Sequence, residues 1–163
     1  MITVGKYIDK DIEDMLKIWN DVVDAGIAFP QEDTLSCDEG RDFFGSQTFC
    51  GVAKDSEMDK AVGIYILHPN NIGRCGHICN ASYAVDTKIR GLHIGEKLVK
   101  HSIQQAAKEK FRILQFNAVV KTNVHARNLY ERCGFTQLGI IPRGFRMKDG
   151  HYEDICPYYI EVV

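Results

Sequence analysis

Val85-Asp86-Thr87-Lys88-Ile89-Arg90-Gly91-Leu92-His93-Ile94-Gly95-Glu96-Lys97-Leu98 is the stretch on which the reading of this chain turns. A β-rich run from His77 to Asp86 ends here, and a short basic turn with glycine follows. From Ile94 to Lys110 apolar residues recur at helical spacing, with Leu98, Ile103 and Ala106-Ala107 on the expected buried stripe. A strand that turns in this way into a helix leaves backbone N–H groups unpaired at the helix start. Such groups bind phosphate oxygens without any special side chain. Arg90 adds positive charge, and the glycines let the backbone approach a ligand closely. The third glycine of a Rossmann fingerprint and the G-K-[ST] ending of a P-loop are both missing. Taken alone, the stretch is equally compatible with a plain strand–turn–helix connection.

Outward from this point the remaining elements fall into place. Ile2 to Tyr7 is expected as a first strand. A helix capped by Asp9 or Asp11 then carries Ile12, Met15, Leu16, Trp19 and Val22-Val23, and Gly26 ends it. Ala28-Phe29-Pro30-Gln31 is a loop suited to substrate contacts, and Cys37 to Phe44 is a short second helix. Strands follow at Thr48 to Lys54, Ala61 to His68 and His77 to Asp86. After the Ile94 helix come a strand from Ile113 to Val120 and a helix from Asn123 to Cys133 with Gly134 behind it. Strands at Phe135 to Ile141 and Tyr152 to Val162 close the chain, with a hairpin turn at Asp149-Gly150. The order is β-α-α-β-β-β-α-β-α-β-β. It implies one α/β domain over residues 1–163, with a sheet of mixed direction and helices on both faces.

A second motif makes the reading specific: Asn123-Val124-His125-Ala126-Arg127-Asn128-Leu129-Tyr130-Glu131-Arg132-Cys133-Gly134-Phe135. It resembles the N-x-x-A-x-x-L-Y-x-x-x-G-F motif of the GNAT (GCN5-related N-acetyltransferase) family at every defined position. That family's cofactor motif, R/Q-x-x-G-x-G/A, is met at Arg90 and Gly95, whereas His93 stands where its first glycine belongs. His93 is expected to be tolerated by keeping a helical backbone and turning its ring outward. The resemblance implies a GNAT-type, mostly antiparallel central sheet and an acetyltransferase that uses acetyl-CoA as acyl donor. It also assigns roles. Tyr83, Ala84 and Val85 would pair with the pantetheine arm as an added strand does, and their N–H groups would polarise the thioester carbonyl. Arg90, Gly91, Leu92, His93, Ile94 and Gly95 would surround the pyrophosphate. Asn123 would hydrogen-bond the cofactor, and Tyr130 would sit at the sulfur as the catalytic residue.

The implied chemistry is direct attack of a neutral amine on the thioester, without a covalent enzyme intermediate. A phenol near pKa 10 and a thiol near 8.5 make full proton transfer from Tyr130 uphill by roughly 2 kcal/mol, so a hydrogen bond to the departing thiolate is the role expected of it. Many relatives carry a glutamate base on the strand before the phosphate loop. None lies between His77 and Val85, which leaves His77 or water and no assigned base. Asn80 and Asn117 stand mid-strand, where asparagine is disfavoured. The pair resembles that of a subgroup including the yeast L-azetidine-2-carboxylate (proline-analogue) acetyltransferases, which implies an amino-acid-like substrate held by these amides. The alternative is that both amides satisfy backbone groups at a strand bulge.

Composition narrows the alternatives. With 20 basic and 22 acidic residues the formal net charge is −2, which gives no concentrated basic field for nucleic acid. No apolar run is long enough to span a membrane. The first residues lack a signal-peptide pattern, so a cytoplasmic location is expected. The six cysteines form no C-x-x-C pair and are expected as buried thiols. Cys75, His77 and Cys79 would share a strand face but lack a fourth ligand, so no metal is expected. Arg143 and Arg146 are read as surface charges rather than anion ligands. The acidic run Gln31-Glu32-Asp33 keeps a polycationic acceptor such as an aminoglycoside open, and a protein acceptor stays open too. A non-catalytic acyl-CoA sensor is the alternative of another class. A homodimer through the last strands is a further expectation from the resemblance.

Overall fold

The apolar positions of α1 (Ile12–Ala25), among them Ile12, Met15, Leu16, Trp19 and Val23, turn one face to the sheet and are buried there. Gly26 stops the helix in the left-handed conformation, φ 63°. In α2 (Cys37–Gly45) a reciprocal cap fixes the start. The Glu39 N–H donates to Ser36 Oγ (3.2 Å), and the Ser36 N–H donates to the Glu39 carboxylate (2.8 Å). These helices cover one face of an eight-stranded sheet, and α3 (Ile94–Lys108) and α4 (Val124–Arg132) cover the other. The computed structural model describes residues 1–89 and 91–163, and Arg90 lies outside the described residues. No described helix is long and apolar enough to cross a membrane.

The strands are β1 (Ile2–Lys6), β2 (Phe49–Asp55), β3 (Lys60–Pro69), β4 (Ile78–Val85), β5 (Ile113–Val120), β6 (Thr136–Gln137), β7 (Ile141–Arg146) and β8 (Tyr152–Glu161). They lie in the order β1-β2-β3-β4-β5-β8-β6, with β7 also on β8. All pairs are antiparallel except β4 with β5, which is parallel. The continuous strand expected from Phe135 to Ile141 is instead two, β6 and β7, so the order carries one strand more. Pro157 in β8 explains the break. It accepts a bond from the Leu138 N–H (2.8 Å) but has no N–H to return, so the ladder lapses there.

The parallel pair governs the functional geometry. It holds for only three residue pairs, Ile78 with Ile113, Cys79 with Leu114 and Asn80 with Gln115. Beyond them the strands part. The Ile78 C=O accepts from Asn70 N–H and the Asp86 N–H donates to Val62 C=O, so even-numbered residues of β4 turn their backbone groups toward β3. By strand alternation Ala81, Tyr83 and Val85 turn theirs into the gap left by β5.

Two residues bring α3 against this gap. A Cβ on Gly63 would stand 2.8 Å from Ile94 Cγ2 and 3.0 Å from Leu98 Cδ1, so the bare glycine lets the helix sit close on β3. His93, the N-cap of α3, adopts φ 52° and ψ 34°. This corrects the expected helical backbone: the residue is left-handed, the conformation for which glycine is suited, and its side chain is exposed. Gly63→Ala should therefore lower stability by about 1–3 kcal/mol through overpacking, read as a shift in urea midpoint at constant slope. His93→Gly should raise stability by about 1 kcal/mol by relieving the left-handed strain. Because the His93 side chain is exposed, the change should leave acetyl-CoA affinity by calorimetry unchanged, and a gain of about tenfold would show that the ring obstructs the site.

Candidate active site

Where β4 and β5 separate, a cleft of about 1110 Å³ opens. Pockets for drug-sized molecules run to about 300–1,000 Å³, so this one suits a longer ligand. Its lining contains Asn80, Tyr83, Val85, Gly91, Leu92, His93, Ile94, Gly95, Asn117, Asn123 and Tyr130, which brings the sequence candidates together around one space. Ala84 is absent from the lining. Its backbone faces β3, opposite Ile64, and its side chain is buried against α1 and α2. Ala84 is thus turned away from the gap where a pantetheine arm was expected, and only Tyr83 and Val85 of the three line the cleft.

At one end of the cleft stands the start of α3. Among the described residues no side chain caps it, whereas Ser36 caps α2 and Asn123 caps α4. Its first N–H groups are thus open to an anionic ligand. A Cβ on Gly91 would meet nothing within 4 Å, which leaves room beside them. Gly95 serves a second purpose, because a Cβ there would lie 3.3 Å from Leu129 Cδ2 and hold α3 away from α4. Asn123 Oδ1 accepts from Ala126 N–H (3.3 Å), so only its amide N–H groups remain for a ligand.

Tyr130 is half-buried, with its ring 4.4 Å from that of Phe116 and 5.9 Å from that of Phe135. Packing fixes the ring, and the hydroxyl has no hydrogen-bond partner among the described residues. Burial pushes its pKa well above that of a free phenol, and Cys133 and Tyr158 add to the shift. Tyr130 thus stays protonated as a donor. The Tyr83 hydroxyl instead bonds Ser102 Oγ (2.7 Å) and anchors β4 to α3.

The sheet divides the cleft chemically. Tyr83 and Tyr130 belong to the α3–α4 side, and Ile66, Asn80 and Ser82 face the α1–α2 side. Trp19 packs on Phe29 (4.5 Å) and Phe43 (5.0 Å), which form a firm aromatic wall there. The Asn80 amide is buried to 9% exposure and lines the cleft, with no protein hydrogen bond among the described residues. Asn117 differs: it lies at a bulge where Phe116 and Val119 pair with Tyr158 and Cys156. Its amide donates to Asn70 Oδ1 (2.6 Å) and accepts from Gln115 Nε2 (3.0 Å), so its partners beside the bulge are side chains rather than backbone groups.

Other expectations sort cleanly. His77 is exposed outside this cleft, beside Arg112 and Glu161, and cannot act as its base. Cys75 sits in a 3-10 turn off β4, so the shared face with His77 and Cys79 does not form. The six cysteines are not all buried as expected: Cys37 and Cys75 are exposed and Cys133 is half-buried, while Cys50, Cys79 and Cys156 are buried. Burial pushes Cys50 and Cys79 up to about 12, which makes them poor nucleophiles. Arg146 pairs with Glu32, so neither charge is free for a ligand. The same hairpin holds the α1–α2 loop through Lys148 N–H to Gly26 C=O (3.0 Å). Two cleft residues escaped the sequence reading. Gln47 donates to Phe43 C=O (3.0 Å) but keeps a buried Oε1 without a partner among the described residues, and His68 lies in register with Asn80. Only strand pairing reveals the second, and no local signal marks the first.

Known proteins agree with this architecture. The N-acetyltransferase aca1 of Schizosaccharomyces pombe is 32% identical over a 146-residue alignment that covers 79% of this chain and 68% of that protein. A GCN5-related N-acetyltransferase from Kribbella flavida superposes with TM-score 0.89 at 27% identity, over 98% of this chain and 97% of that one. A phosphinothricin acetyltransferase from Sinorhizobium meliloti, solved in complex with acetyl-CoA, has the same fold at 18% identity and TM-score 0.89, over 98% of this chain and 88% of that one. The family profile described as "Acetyltransferase (GNAT) family" matches residues 13–135. With that span matched, and with strands parted over an open helix start, the chain belongs to the GNAT family of acetyltransferases.

Proposed function

We propose that this chain, as one catalytic domain, transfers the acetyl group of acetyl-CoA to the amine of a small, amino-acid-like molecule. The parting of β4 and β5 over the uncapped start of α3 carries this reading. The residues present fit the donor: a free strand edge suits an amide-bearing arm, and an open helix start beside Gly91 suits a diphosphate. Backbone groups of Tyr83 and Val85 would hold the arm. The N–H groups of Ile94 and Gly95 would hold the phosphates, with Gly91, Leu92 and His93 lining them and Arg90 supplying charge. The donor contributes the activated acetyl carbon. Tyr130, held neutral by burial, donates a hydrogen bond to the sulfur as it leaves.

Support for a small acceptor comes from the α1–α2 side. Its wall of Phe29 and Phe43 is braced by Trp19, which suits a compact apolar body rather than a protein segment. Glu32 is paired with Arg146, which weakens the case for a polycation. The free amide of Asn80 supports a hydrogen bond to an acceptor carboxylate or hydroxyl, in line with the resemblance to the azetidine-2-carboxylate acetyltransferases. Asn117 would act beside it after exchanging its Asn70 or Gln115 partner.

The test is free-thiol release from acetyl-CoA with proline-like and other amino acids, aminoglycosides and peptides. Release with amino acids is expected. Cofactor binding without release from any amine would favour an acyl-CoA sensor. Asn80→Ala should raise the Michaelis constant for the best amino acid about tenfold while leaving acetyl-CoA affinity intact. Tyr130→Phe should lower turnover by about tenfold or more with little change in acetyl-CoA affinity. Because burial raises the Tyr130 pKa, its proton is retained up to at least about pH 10. The turnover–pH curve of the variant should therefore keep its wild-type shape, and loss of an alkaline limb would contradict the role.

A further inference from the structure

An amine that attacks a thioester must lose a proton, and the acceptor side of the cleft offers one group beside Asn80 able to take it. Around Asn80 the side chains Phe29, Gln31, Phe43, Gln47 and Asn117 carry no ionisable group, and the Asp86 carboxylate stands just past the far end of β4. His68, at the end of β3, lines the same space, half-buried, and pairs in register with Asn80 across β3 and β4. Directly opposed residues share a face with Cβ atoms about 5 Å apart, so the His68 ring lies beside the free Asn80 amide. Its Nδ1 stands 3.0 Å from Pro69 C=O. A carbonyl can only accept, so Nδ1 carries the hydrogen and Nε2 keeps its lone pair.

We infer that His68 is the general base of the transfer, its Nε2 taking the proton from the acceptor amine while Asn80 beside it holds the acceptor. This rests on the acetyltransferase reading above. As the nitrogen–carbon bond forms, Nε2 takes one N–H proton. The electron pair of the carbon–sulfur bond leaves with sulfur, beside Tyr130 on the opposite side of the sheet. The thiolate gains a proton from solvent, and the imidazolium returns its own to solvent. Amine and thioester thus become amide and free thiol. The other ionisable groups of the lining stand away from Asn80 or on the α3–α4 side. Asp86 Oδ1 accepts from Lys88 N–H (2.9 Å), Glu96 pairs with Lys100 (2.6 Å), and His93 and His125 lie at the starts of α3 and α4.

Two measurements on the full chain decide the matter. Long-range proton–nitrogen NMR, with the His68 signals assigned through His68→Gln, should show the Nδ1–H tautomer in the neutral ring. The Nε2–H tautomer would overturn the proposal, whatever the acceptor. With the amino acid that releases thiol fastest, His68→Gln should lower kcat/KM about 100-fold or more near neutral pH. It should bind acetyl-CoA normally by calorimetry and lose the acidic limb of the kcat/KM–pH profile. Added imidazole should restore part of the activity of His68→Ala. A loss under about threefold with the acidic limb intact would refute the assignment. If wild-type enzyme releases thiol with no amino acid, the acceptor reading fails, and the tautomer still decides whether His68 is poised as a base.

Discussion

Strands β4 and β5 pair at Ile78, Cys79 and Asn80 and then separate, and the rest of the active site is arranged around that separation. A sheet edge in the interior of a protein is unusual, because unpaired N–H and C=O groups are costly when buried. The cost is tolerable here because the edge faces a cleft rather than apolar packing. Neighbouring features keep the strands apart. The bulge at Asn117 and Ala118, opposite Pro157, turns β5 toward β8. Phe116 and Tyr130 pack ring to ring beneath the gap, with Phe135 stacked on Phe116 at 4.6 Å, so the strands have no room to close.

Separation also divides the chemistry. On the α3–α4 side the groups suit a large anionic donor and a leaving sulfur: an uncapped helix start, a glycine with open space beside it and a phenol kept neutral by burial. On the α1–α2 side the groups suit a small polar acceptor: two aromatic rings braced on Trp19, an unengaged amide and an imidazole. The hairpin of β7 and β8 reaches across to steady the loop after Gly26, through Arg146 to Glu32 and Lys148 to Asp24 C=O (2.6 Å). Arg146, expected from sequence as a surface charge, thus ties down the loop between α1 and α2. The buried thiols play no comparable part, since the low-dielectric core disfavours their thiolates.

Local signals carried most of the fold. Gly26 and Gly134 end their helices at φ 63° and 98°, as residues without a Cβ can. The stripe of α1 and the span Ile113 to Val120 follow from periodicity alone. The interruption of the strand after Phe135 is not legible locally because it depends on Pro157, which lies far along the chain and acts through a missing ladder donor. The left-handed backbone of His93 is not legible either, because histidine has no preference for it. His77 and His68 look alike in sequence, each near an end of an apolar strand, yet only His68 lines the cleft.

From sequence alone came the family, most of the element order and the two motifs that bracket the cleft, because turn chemistry, apolar period and motif spacing are local properties of the chain. Which backbone groups stay unpaired, which asparagine keeps a free amide and which strand-end histidine, His68 or His77, lines the cleft follow from the tertiary structure. Each depends on register between strands distant in sequence, and a register shift of one residue would turn every such side chain to the other face of the sheet.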